Sequence, residues 1–254
     1  MELSEIKSFL DEKVIKFNQP SFIDNDPISI PHLYQRKEDI EISGFLTATI
    51  AWGRRDLILK SAHRLMELLE HSPFEFITEA NQREWSRFET FYYRTFSSVD
   101  CLYFIKALHE IYTQNKGLEG VFADQYQSGN IKPVLVHFRD IFLSFDPLQR
   151  THKHVANILN GASAKRINMY LRWMVRNDMN GVDFGIWKKI KTADLLLPLD
   201  LHTGNISRKL GILKRKQNDI KAVDEVMTIL RQFDSNDPVK YDFALFGLGV
   251  EEKF

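Results

Sequence analysis

The chain has 254 residues, 44% hydrophobic and 27% charged, enough to bury a sizeable core in a globular fold of ordinary composition. Thirty-four Lys/Arg balance thirty-four Asp/Glu, so net charge alone points to no partner. One cysteine, Cys101, excludes an intramolecular disulfide and any four-cysteine zinc or iron–sulfur site. The opening stretch, MELSEIKSFLDEKVIKF, is charged and amphipathic. No run approaches the ~18 apolar residues of a membrane span, so no membrane and a cytoplasmic setting are expected.

In chain order the apolar pattern has helical period almost throughout. Ile6, Phe9, Leu10, Val14 and Phe17 form one stripe, and Leu57, Leu59, Ala62, Leu65, Met66 and Leu69 another. Further helices are predicted over 99–115, 131–144, 150–159, 164–177, 201–211, 219–233 and 239–248. No βαβ alternation is present and Gly/Pro punctuation falls between the stretches, which predicts an all-α class. With no repeat or long linker, residues 1–254 are expected to form a single compact unit with two lobes. Lobe A is roughly 1–55 plus 178–254, and lobe B roughly 56–177.

Charge is unevenly spread. Between residues 151 and 217 thirteen Lys/Arg face only Asp178, Asp183, Asp194 and Asp200, a pattern that suits either a polyanion-binding face or solvated helix faces. In the same region, 155-VANILNGASAKRINMYLRWMVR-176 reads as a helix stopped by Asn160-Gly161, a short turn and a second amphipathic helix, a helical hairpin. Backbone N–H groups at the second helix's start, beside Lys165 and Arg166, offer a phosphate site, although Gly161 is also an ordinary helix stop. Farther on, 196-LLPLDLHTGNISRKLGILKRK-216 sets Asp200 at a helix N-cap, where backbone N–H groups and the helix dipole keep it ionised. Asp is a favoured cap with no further role, yet His202, Arg208 and Lys209 follow closely.

Those two motifs, Gly-x-x-x-Lys closing a hairpin and Pro-x-Asp-x-His opening a helix, resemble the helix-hairpin-helix DNA glycosylase superfamily. The likeness extends to 44-GFLTATIAWGRRDLILKSAHRL-65, similar to an early helix pair of that superfamily, and to 239-VKYDFALFGLGV-250, similar to its closing helix. Phrases such as LRWMVRNDMNGVDFGIW look like a functionally uncharacterised bacterial family. The resemblance implies an all-α, two-lobed fold with the active-site cleft between lobes. It also implies removal of an oxidised purine such as 8-oxoguanine from duplex DNA. Lys165 falls on the nucleophilic lysine of the bifunctional members, which form a Schiff base and add AP lyase activity, and Asp200 falls on the catalytic aspartate. An amine that attacks C1′ and a carboxylate that stabilises positive charge there are what the chemistry requires.

By the same resemblance Gly161, Ser163, Arg166, His202, Arg208 and Arg54 contact DNA. Met169, Asp242 and Phe246 line the base pocket, Asp242 accepting from a purine's N1–H and Phe246, four residues on, stacking. Residue-level alternatives stay open: Asp242 as a helix cap, Phe246 as core, and Trp173 and Trp187 as core or as stacking platforms. Two departures stand out. Ser163 replaces the hairpin's second glycine, which bears on a structural monovalent cation held by loop carbonyls; no other cofactor and no metal is expected. Lys165 and Asp200 are thirty-five residues apart, more than in most members, so 177–196 must loop out, as in the archaeal 8-oxoguanine glycosylases. The expectation is a monomeric repair enzyme. The alternative is a non-catalytic DNA-structure-binding protein on the same fold.

Overall fold

A computed structural model describes residues 2–114, 116–252 and 254. It is all-helical; among the described residues the only extended pairings are four isolated bridges. Twelve α-helices occur among them: α1 (Leu3–Phe17), α2 (Lys37–Ile50), α3 (Arg55–Leu68), α4 (Pro73–Glu79), α5 (Gln82–Trp85), α6 (Ser98–Gln114), α7 (Gly117–Asp124), α8 (Lys132–Phe142), α9 (Lys165–Val175), α10 (Leu201–Lys209), α11 (Ile220–Phe233) and α12 (Tyr241–Val250). Among the described residues no helix is long and apolar enough to cross a membrane.

The chain divides into two compact units. Unit 1 comprises Met1–Asp24, Gln127–Ile131 and Asn157–Phe254; unit 2 comprises Asn25–Tyr126 and Lys132–Ala156. The expected lobes were cut elsewhere, with α9 grouped among residues 56–177 and residues 25–55 grouped with the C-terminal part. The reason α9 sides with the C-terminal helices is electrostatic as much as apolar: its Arg172 and Arg176 are buried against carboxylates of 178–242.

Unit 1 is organised around α12, which packs against both α1 and α10. Its small residues permit this. A Cβ at Gly247 would lie 2.4 Å from the Phe17 ring, and one at Gly249 would lie 3.1 Å from His202 Cβ. α1 starts with a reciprocal capping box between Glu2 and Glu5 and buries Ile6 and Leu10. Asp219 caps α11, accepting from the Ala222 N–H at 3.0 Å, and the face bearing Val223, Val226, Met227 and Leu230 is buried. Unit 2 is built on packed phenylalanines: Phe104 and Phe142 meet edge to face with centroids 4.7 Å apart, Phe122 and Phe138 stack 4.1 Å apart, and Phe45 stacks on Phe104 and meets Phe138 and Phe142 edge to face.

Three sequence expectations are corrected. The helix predicted over 150–159 is instead two 3-10 turns, Gln149–His154 and Ile158–Asn160, because the Asn157 carboxamide accepts from the Leu159 N–H and offers the backbone a local alternative to the helix. The α3 stripe is right from Ala62 onward, where Leu65, Met66 and Leu69 are also buried, but its start is out of phase: Leu57 is exposed and Ile58 is buried. Finally, α4, α5 and α7, too short to show a period, were not foreseen.

Candidate functional site

The site lies in unit 1 and begins at the hairpin turn. Gly161 ends the short 3-10 turn with φ +88°, a conformation that suits glycine, and open space surrounds its α-carbon. Its carbonyl accepts from the Ile220 N–H at 3.1 Å, and Ala162 bridges to Asp219, so the turn is docked on the start of α11. Ser163 reaches the Leu199 carbonyl through Oγ at 3.4 Å, and its own carbonyl accepts from Asn168 Nδ2 at 3.0 Å. Ala164, in the left-handed region at φ +55°, then turns the chain into α9. Two further bonds set the neighbouring helix start: Asn218 Nδ2 donates to the Asp200 carbonyl at 2.8 Å, and the Gly204 N–H donates to the same oxygen at 3.0 Å. The first residues of α9 and α10 are thereby held by backbone groups of three loops and the Ser163 and Asn218 side chains.

Asp200 is the N-cap of α10. Its Oδ1 accepts from the Thr203 N–H at 2.9 Å and from Thr203 Oγ1 at 3.1 Å; Oδ2 accepts no hydrogen bond among the described residues. Lys165, half-buried at the first position of α9, has no hydrogen bond or ion pair to its amine among the described residues. Both charges are felt by Asp242, in the first turn of α12. Asp242 is 6% exposed. Its pKa is raised to about 6: burial raises it most, the Arg172 guanidinium pulls it back, Asp200 pushes it up and Lys165 pulls it down. The four side chains thus form one electrostatic cluster contributed by α9, α10 and α12.

Arg172 is the member that sequence reasoning missed. It stands two turns after Lys165 on α9, so the two share a helix face, a signal that was legible. Its Nη1 donates to Asp242 Oδ2, its Nε donates to Asp183 Oδ1 at 3.2 Å, and its guanidinium lies 4.3 Å from the Phe243 ring centroid. Arg176 continues the network to Asp183 at 2.9 Å and to Asp237 at 2.9 and 3.1 Å. Asp183 belongs to the 177–196 excursion, which folds back along α9: the Phe184 N–H donates to the Trp173 carbonyl and the Trp187 N–H to the Met174 carbonyl. Asp242 Oδ2 is therefore occupied, and Oδ1 is the oxygen left to accept from a ligand.

The other expected site residues fall in different places. Met169, one turn after Lys165, is buried at 8% exposure, and Phe246 is half-buried with its ring 6.3 Å from Phe22. Burial lowers the Arg166 pKa to about 10. His202 is exposed on α10. Arg208 turns inward: it donates to the Arg215 and Lys216 carbonyls at 2.8 Å and to Asn218 Oδ1, bracing the loop that holds the Asp200 carbonyl. Arg54 lies in unit 2, exposed and paired with Asp56 at 2.6 Å. Trp173 and Trp187 are core residues, 0% and 1% exposed. Of the thirteen cations counted between 151 and 217, Arg172 and Arg176 are buried in ion pairs; they contribute no free surface charge. Among the described residues no group of three or more His, Cys, Asp or Glu could hold a metal ion.

An all-helical chain with a lysine and two carboxylates at the starts of three helices, joined by an arginine from the last turn of the first, is the class that fold and site define. Residues 26–251 match the family model described as "Protein of unknown function (DUF2400)", and the chain belongs to that family. No curated protein and no solved structure matches it.

Proposed function

We propose that the chain is a DNA N-glycosylase with AP lyase activity. It removes an oxidised purine such as 8-oxoguanine from duplex DNA, as a cytoplasmic monomer on the two-lobed helix-hairpin-helix architecture. The observation that carries this reading is the convergence of Lys165 and Asp200 on the charge environment of Asp242, with the Lys165 amine unpaired. In this scheme the nucleotide is flipped out of the duplex at a cost of a few kcal/mol. Lys165 Nζ, having lost a proton, attacks C1′ while the C1′–N9 bond breaks and the base departs with its bonding pair and gains a proton. The Asp200 carboxylate stabilises the positive charge that builds at the sugar. Ring opening gives a Schiff base between Nζ and C1′, from which the 3′ phosphate is eliminated. Asp242 Oδ1 faces the base's N1–H as an acceptor, oriented by Arg172.

Borohydride trapping on a duplex with one 8-oxoguanine tests the scheme. Wild type should give a covalent protein–DNA complex, and Lys165→Gln none. The second reading, a non-catalytic DNA-structure-binding protein, is favoured by Ser163, whose side chain occupies the turn where the superfamily has glycine and bonds back to Leu199. Absence of both trapping and base release over a lesion panel would replace the first reading by the second.

A further inference from the structure

Unit 2 carries a second cationic feature that charge counting along the chain misses, since residues 1–100 are acidic on balance. Three segments distant in sequence meet at one corner. The Tyr93 hydroxyl donates to the Trp52 carbonyl, and Arg150 Nη2 donates to the Thr95 carbonyl at 3.2 Å. The His154 ring lies 6.1 Å from Trp52 and 5.0 Å from Phe96. Tyr93 and Phe96 close a tight turn by exchanging both backbone bonds, at 2.9 and 2.8 Å.

The turn holds Arg94 at φ +52°, a left-handed conformation uncommon for a side chain of this size. Its guanidinium lies against Gly53, itself at φ +101°; a Cβ there would sit 2.4 Å from Arg94 Nη1. Glycine at 53 and the strained arginine at 94 are therefore fitted to each other. Yet among the described residues Arg94 forms no hydrogen bond or ion pair, and it is exposed. Strain maintained to present an unpaired cation points to a ligand rather than to folding. Lys153, exposed and unpaired among the described residues, and Arg150, whose side chain remains 45% exposed while paired to the buried Asp100, stand on the adjoining 3-10 turn. Tyr92, two residues before Arg94, is 71% exposed.

We infer that Arg94, Arg150 and Lys153, held on the Gly53 and Tyr93–Phe96 turns, form a phosphate-binding corner that grips the backbone of duplex DNA. Three cations on one corner suit a sugar–phosphate chain, whose charges recur every few ångströms. The inference rests on no part of the Lys165 chemistry.

Fluorescence anisotropy on a short undamaged duplex, read as affinity against salt, decides it. Wild type should bind, with log affinity falling linearly with log salt. The Arg94→Asn/Lys153→Ala variant should bind about tenfold or more weakly near 0.1 M salt, its slope shallower by about 2 as two phosphate contacts are lost. Asparagine tolerates the left-handed conformation, so an unchanged thermal melt should accompany the loss, and Arg94→Lys should restore much of the slope. Borohydride trapping by the double variant at saturating protein should still occur, which separates the corner from the proposed catalysis. Equal affinity and slope for wild type and the double variant, or no binding by wild type, would overturn the inference.

Discussion

At Asp200 two roles sit on one carboxylate, and a single substitution separates them. Asparagine caps a helix about as well as aspartate, so Asp200→Asn should keep the Thr203 bonds and the melting temperature while abolishing base release in single-turnover assays. Asp200→Ala should also cost about 1 kcal/mol of stability through the lost cap. A melt lowered equally by both variants would show that the charge, not the cap, serves the fold. Asp242 has a distinct pH signature. Its pKa is raised to about 6 in the folded chain, first by burial, against an unfolded value near ~3.9. A raised carboxyl holds its proton in the native state while the unfolded chain has lost it, so its contribution is fully present below about pH 4 and lost as pH rises through about 6. Denaturant titrations should show wild type losing about 2–3 kcal/mol relative to Asp242→Asn between pH 4 and pH 7. Parallel curves would refute this.

Among the elements, α12 and the hairpin turn both depend on glycine, for opposite reasons. Gly247 is helical, and alanine there gains about 1 kcal/mol of propensity. Its methyl would nevertheless enter the Phe17 ring, so Gly247→Ala should destabilise by about 1–3 kcal/mol net. Gly161 has free space but a positive φ; Gly161→Ala should cost about 1–2 kcal/mol, and Gly161→Asn less. Urea unfolding of the three variants distinguishes steric from backbone cost, since Phe17→Leu should rescue only Gly247→Ala. The helix faces themselves were legible: α9, α10, α11 and α12 begin and end within a few residues of the stretches expected from period and caps. The 150–159 segment was not, because Asn157 takes over a backbone donor that a helix would use, a local competition that hydrophobic period does not register.

On the scale of the molecule the two units contain buried carboxylates shifted in opposite senses. In unit 2 burial pushes the Asp100 pKa up, but bonds from Ser97 and Thr151 and the neighbouring His154 outweigh it and hold the pKa below the ordinary range. Such a depressed carboxyl contributes stability that is present above about pH 4 and lost as pH falls through its folded value. Asp100→Asn should therefore lower stability at pH 7, by about 2 kcal/mol or more for bonds to a charged acceptor, with the gap closing as pH falls through the folded pKa of Asp100. Hydrogen exchange over α6 should report it, and over α9 and α12 should not.

Composition, helical period and capping residues determined the all-α class and most helix positions, because these properties are local and repeat along the chain, while the motif resemblance supplied Lys165 and Asp200 as candidates. The tertiary structure alone decided that Arg172 and Asp183 enclose Asp242, that two of the counted cations are buried, and that Gly53, Arg94 and Arg150 share a corner. Ion pairing and burial depend on which segments meet in space, and in Asp183 and Asp242, fifty-nine residues apart, no spacing rule connects the partners.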